Sequence, residues 1–142
     1  MILRARSRFA WGIYGTEAKP MYVLARDGSE GLLEASLGGR VTLEEMKVFG
    51  AELAEACADF GGEPFVVLLD TSAAAPFDLR TRHLLFEIKD MLLGGGALQI
   101  THVVRDDSEA AELAALRYEQ FCKGVESYVT AVPEVDEARR AA

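Results

Sequence analysis

Two hydrophobic periods alternate along this chain. The pentapeptide Phe65-Val66-Val67-Leu68-Leu69 is apolar throughout and ends on Asp70. A strand covered on both faces of a parallel sheet needs such a run. Met21 to Ala25 and Leu32 to Leu37 read as two further strands, joined by the turn Asp27-Gly28-Ser29-Glu30-Gly31. Ala97 to Val104 alternates, with Leu98, Ile100, His102 and Val104 in phase, and Glu126 to Thr130 reads as a short strand.

The segments between these strands carry the helical period. Thr42-Leu43-Glu44-Glu45 is a capping box, followed by Leu43, Met46, Phe49, Leu53, Ala56, Cys57 and Phe60 at helical spacing and a stop at Gly61-Gly62. After the central strand, Thr71 to Pro76 reads as a loop of small residues, and Asp78 as the N-cap of a second helix. Leu84, Leu85, Ile88, Met91 and Leu92 form its inner side, and Arg80, Arg82, His83, Glu87, Lys89 and Asp90 a charged outer face. Asp106 and Glu109 open a third helix, with Ala110, Leu113, Ala114, Tyr118, Phe121 and Cys122 inward. Pro133 fits the first turn of a last helix that ends in Arg139-Arg140.

The expected order is therefore β-β-α-β-α-β-α-β-α. It predicts an α/β fold with a mixed sheet: parallel pairing through right-handed crossovers, plus an antiparallel hairpin. Residues 1–20 read as an N-terminal arm or extra edge strand, and residues 21–142 as a single domain.

At 142 residues, half of them hydrophobic, the chain can bury roughly two-thirds of its unfolded surface without staples. The net charge of −8 repels nucleic-acid backbones and anionic lipid surfaces. Arg4, Arg6 and Arg8 are too few to reverse that and read as a solvated face. The N-terminus lacks the apolar core of a signal peptide, and no run is long enough to cross a bilayer, so a cytoplasmic location without membrane insertion is expected. Cys57 and Cys122 have apolar neighbours and read as reduced core thiols. Phe9 and Trp11 on an exposed edge are the sequence's argument for a homodimer through the N-terminal arm.

No coherent catalytic set emerges. Ser72, His83 and Asp78 compose a triad on paper, but no nucleophile elbow accompanies them. His102, in phase with apolar positions, reads as a neutral, hydrogen-bonded core histidine. His83, His102, Cys57 and Cys122 lack metal-ligand spacing. Asp70 and Asp106-Asp107 are accounted for by capping of nearby amides. Gly94-Gly95-Gly96 follows a helix and is not a phosphate loop. A hydrolase-like enzyme using Asp70 or His83 is the weakest expectation.

Four segments occur in a telling order. They are Gly39-Arg40-Val41-Thr42-Leu43-Glu44-Glu45, Phe65 to Asp70, Leu98 to Val104, and Tyr128-Val129 followed by Glu134-Val135-Asp136-Glu137-Ala138-Arg139. Together they resemble the STAS superfamily, in particular its SpoIIAA-like branch, across residues 21–140. The resemblance implies a small mixed sheet backed by helices, no cofactor, and a non-enzymatic regulatory role in bacterial signalling.

Members that act as anti-sigma factor antagonists bind a protein partner. They are switched by phosphorylation at the start of the helix after the central strand. That segment here is Asp78-Leu79-Arg80, with Leu79 where the phosphorylated residue is expected. Ser72 and Thr81 are the nearby candidates for phosphorylation. The implied partner surface comprises Thr71, Ser72, Phe77, Asp78, Arg80, Thr81 and Arg82, with Arg80 and Arg82 as anchors. The alternative is a lipid or other apolar small molecule held between helices and sheet by Phe77, Leu84, Leu85 and Ile88.

Overall fold

The computed structural model describes residues 2–4, 21–27, 31–117 and 125–130. The rest of the N-terminal arm, the turn tip at 28–30, Tyr118, Phe121, Cys122 and the expected last helix lie outside the described residues. The described elements are β1 (Ile2–Arg4), β2 (Met21–Asp27), β3 (Leu32–Gly39), α1 (Leu43–Ala58), β4 (Phe65–Ala74), α2 (Leu79–Gly94), β5 (Ala97–Val103), α3 (Asp107–Arg117) and β6 (Glu126–Val129). They build one mixed sheet in the order β1-β2-β3-β4-β5-β6. β1 and β2 pair antiparallel, as do β2 and β3; β3 through β6 run parallel.

The three parallel crossovers all step along the sheet in the same direction. The right-handed rule then places α1, α2 and α3 on one face. The core follows that geometry. Leu33, Ala35 and Leu37 of β3, Phe65, Val67 and Leu69 of β4, and Ile100 of β5 meet Met46, Phe49 and Leu53 of α1 and Leu85, Ile88 and Leu92 of α2. Emptying one such site, as in Phe49→Ala, costs about 3–5 kcal/mol, several times the worth of a helix cap. At Gly50, α1 and α2 approach so closely that an added Cβ would lie 2.9 Å from the Ile88 side chain.

Local chemistry sets the boundaries. The Thr42 hydroxyl accepts from the Glu45 amide at 3.1 Å, and the Glu45 carboxylate accepts from the Thr42 amide at 2.9 Å, completing the expected capping box. Asp78 caps α2 by accepting from the Thr81 amide at 2.8 Å. Asp106 accepts from the Glu109 amide at 2.8 Å at the start of α3. Phe60 stacks on Phe65 with ring centroids 4.3 Å apart, fixing the turn between α1 and β4.

The structure corrects the pattern in four places. β4 does not end at Leu69; it continues to Ala74. After a register shift in β3 between Ser36 and Gly38, Ala73 and Ala74 pair with Gly38 and Gly39. Thr71 to Ala74 are therefore strand, and only residues 75–78 connect it to α2. Leu98 is exposed, because an irregularity in the β4–β5 pairing throws it out of phase with Ile100 and His102. Ala114 of α3 is exposed as well. Lys89, placed by charge on the outer face of α2, is fully buried.

The caps allow a direct check. Thr42→Ala and Asp78→Ala are each expected to lose about 1 kcal/mol in urea unfolding, while Asp78→Asn retains most of the cap.

Candidate functional site

Position 89 follows from the stripe of α2. Leu85, Ile88 and Leu92 face the sheet, and Lys89 shares their side of the helix. Its ammonium therefore enters the protein over β5 and β6. There it donates to His102 Nδ1 at 2.7 Å and to the Tyr128 hydroxyl at 3.0 Å, and lies 3.4 Å from Glu126 Oε1. It also stands 4.7 Å from the centroid of the Tyr128 ring. The register explains the convergence: Ile100 faces Glu126 and His102 faces Tyr128 across the β5–β6 pair.

A second cation closes the cluster. Arg117 ends α3 and is buried. Its guanidinium donates to both Glu126 oxygens, at 3.1 and 2.7 Å, and to Asp90 at 2.8 Å. This two-point pairing is the geometry that suits arginine. Tyr128 donates its hydroxyl to Glu126 as well. Lys89 and Arg117 are thus balanced by Glu126 and Asp90.

These contacts move the ionisations. Burial drives the Lys89 ammonium down to about 8, with Glu126 opposing and Arg117 adding to the shift. Burial, then the charges of Lys89 and Arg117, holds the His102 imidazole well below its ordinary value. Burial works against the Glu126 charge, but Arg117 and Lys89 outweigh it and hold the carboxyl below its usual range. Burial and Glu126 push the Tyr128 hydroxyl above its usual value.

Neutral His102 has one possible orientation here. An ammonium only donates, so Nδ1 accepts from Lys89 and the ring proton sits on Nε2. Nε2 then donates to Thr71 Oγ1 at 2.8 Å. His102 is the neutral, bonded core histidine that its phase implied. A nucleophile-activating histidine is held by an acceptor behind it, a carboxylate or an amide oxygen, that takes its Nδ1 proton in a hydrogen bond. Here an ammonium stands in that place, so His102 is a poor base and Thr71 is not activated.

The sequence-predicted residues separate onto different surfaces. Ser72 is half-buried and donates its hydroxyl to Asp70 at 2.6 Å, and the Ser72 amide bonds the same carboxylate, which is the capping role expected of Asp70. A phosphate on Ser72 would meet that carboxylate as a like charge. Thr71 is buried at the floor of a cleft between α2 and α3 and Thr81 is fully buried, so neither hydroxyl lies on the outer surface. Asp78 is exposed at its cap, and the Thr81 amide holds its carboxyl below the usual range. His83 is exposed and pairs with Glu87 at 3.1 Å, so Ser72, His83 and Asp78 do not assemble as a triad.

Arg80 and Arg82 diverge. Arg82 turns toward α3, where it meets Glu112 at 3.3 Å. Arg80 is exposed on the opposite flank, beside Leu79, Leu43, Lys47, His83 and Leu84 in a shallow depression of about 360 Å³. The four residues expected to line an apolar pocket also divide. Phe77 and Leu85 face a cleft between α2 and α3, while Leu84 and Ile88 face the crevice between α1 and α2.

Cys57 is a buried thiol 3.6 Å from the Gly95 carbonyl, and burial raises its pKa. Among the described residues, no three His, Cys, Asp or Glu side chains gather as metal ligands, and no helix is long and apolar enough to cross a membrane. No family model, curated protein or solved structure matches the chain.

The buried ammonium fixes a pH dependence. The unfolded chain keeps the Lys89 proton up to its ordinary value, while the folded protein releases it near pH 8. The unfolded state therefore binds more protons in that window, and stability rises with pH. Between about pH 7.5 and about pH 9.5, wild type is expected to gain about 2 kcal/mol relative to Lys89→Met. Tyr128 acts with the opposite sign only above about pH 10. Urea unfolding of both proteins at the two pH values measures the change, and a constant difference contradicts the buried cation.

Proposed function

We propose that this chain is a STAS-like, non-enzymatic regulatory domain that binds a protein partner through the β4–α2 connection and the first turns of α2. One observation carries the reading. Leu79, the first residue of α2, leaves 74% of its surface exposed. The fold does not need a large aliphatic side chain there. Covering it yields roughly 2 kcal/mol of hydrophobic free energy to whatever covers it.

Its surroundings suit a protein surface. Leu43 and Leu84 extend the apolar patch, and Arg80, Lys47 and His83 edge it with groups that donate hydrogen bonds. An apolar centre with a polar rim is the usual build of a protein interface, and arginine is common among its strongest contacts. The same segment is the one the family resemblance marks as the partner-binding element. The mixed sheet with helices on one face agrees with that resemblance at the level of fold class. The chemistry of Thr71 and His102 adds support, since the ammonium behind the histidine argues against nucleophilic catalysis. This reading uses Leu79 and Arg80 and leaves out Thr71 and Thr81, which are buried.

A photo-crosslinking residue placed at position 79 is expected to capture a discrete protein partner in cells. Leu79→Asp or Arg80→Glu is expected to weaken that partner's affinity about tenfold or more. Leu98→Asp, at an exposed leucine on another element, serves as the control and leaves the affinity unchanged. Equal affinity for all four proteins refutes the surface.

A further inference from the structure

The other flank of α2 holds a cleft that the docking surface does not use. It opens beside the carboxyl-terminal ends of β4 and β5, between α2 and α3, with a volume of about 230 Å³. Open α/β sheets bind small ligands at that end of their strands. The volume lies below the range of drug-sized pockets and suits a fragment-sized ligand.

Thr71 and His102 face the cleft, and both are more than nine-tenths buried. The donor chain that starts at Lys89 ends here. His102 fills one acceptor position of the Thr71 hydroxyl, which leaves the hydroxyl its own proton to donate. Its acceptor within the protein is the Val103 carbonyl at 3.5 Å, the outer limit of a hydrogen bond. A buried donor held so weakly is available to a ligand oxygen. Phe77, Leu85, Phe86 and Leu113 supply apolar walls.

Charge narrows the class. The rim arginines already face carboxylates: Arg82 meets Glu112 and Arg105 meets Glu109, each at 3.3 Å. Asp106 adds a further negative group to the lining. Behind the floor, Lys89 and Arg117 are balanced by Glu126 and Asp90. Among the described residues no surplus positive charge awaits a carboxylate or phosphate, and burying an unpaired anion is costly. A neutral oxygen acceptor carries no such cost.

We propose that the α2–α3 cleft binds a compact neutral carbonyl compound, its oxygen accepting from the Thr71 hydroxyl and its apolar body lying against Phe77, Leu85, Phe86 and Leu113. The site is separate from the Leu79 surface and does not rest on it.

The test titrates isotope-labelled protein with three probes of similar size: acetophenone, ethylbenzene and benzoate. Acetophenone is expected to shift the methyl signals of Leu85 and Leu113 and the ring-nitrogen signal of His102. Ethylbenzene, which lacks the carbonyl, is expected to bind about tenfold more weakly, as the loss of one hydrogen bond implies. Thr71→Val is expected to bring acetophenone down to the level of ethylbenzene. Ser108→Trp, at an exposed position of the lining, is expected to abolish binding of both probes with the unfolding midpoint unchanged. Equal binding of acetophenone and ethylbenzene to wild type overturns the proposal. So does tighter binding of benzoate, or the absence of any shift in the cleft at about 1 mM of each probe, well within reach of a hydrogen-bonded fragment.

Discussion

Lys89 enters the interior with no exposed surface, and an ammonium placed there needs acceptors and a countercharge around it. Much of one half of the sheet answers that need. Glu126 and Tyr128 must come from a strand beside β5, in the register that aligns them with Ile100 and His102. Glu126 brings a second buried charge, which Arg117 at the end of α3 meets with two hydrogen bonds. A slip of one residue in β6 would send both acceptors to the other face of the sheet. The cluster thus specifies which strand lies at this edge and in what phase, a selection that apolar packing alone leaves loose. Whether it also adds net stability is a separate matter, since a buried ion pair often does little better than a hydrophobic replacement.

The half of the molecule built from α1, β3 and β4 was legible in the chain. Its information is local. The Thr42–Glu45 box, the stripe from Met46 to Phe60 and the apolar run at Phe65 each announce an element without reference to anything distant. The polar cluster was hidden for the opposite reason. Lys89, His102, Arg117 and Glu126 meet only through the β5–β6 register and the α2–α3 packing. A signal did exist. Positions 85, 88, 89 and 92 lie on one helical stripe, and Arg117 follows Leu113 by four residues. Reading residue type before phase put Lys89 on the wrong side. The extension of β4 to Ala74 was hidden too, because small residues suggest a loop unless one knows that a glycine pair lies opposite them.

α2 carries the two proposed surfaces on opposite flanks. Toward α1 it presents Leu79, Arg80 and Leu84; toward α3 it presents Arg82, Leu85 and Phe86. A helix gives this division through its period, since adjacent residues point about 100° apart. Arg80 and Arg82 therefore belong to different neighbourhoods despite lying two apart. The sequence alone grouped them as one anchor pair; the geometry sets Arg82 against Glu112 and Arg80 beside Leu79.

The identity of residue 89 also sets what the cleft can do. With lysine there, the proton of neutral His102 must sit on Nε2, and Thr71 keeps its own proton, which it donates to the Val103 carbonyl at 3.5 Å. A carboxylate in the same place would accept from Nδ1 and free Nε2 to take the Thr71 proton. The threonine oxygen would then face the cleft as a nucleophile with a base behind it, the arrangement of hydrolytic triads. The two cases need the same histidine, the same hydroxyl and the same backbone. They differ in whether the buried end of the chain can only give protons or only receive them. In this protein that end gives, so the polarity of the chain runs from Lys89 through His102 to Thr71, and a weakly held donor ends it beside the α2–α3 cleft.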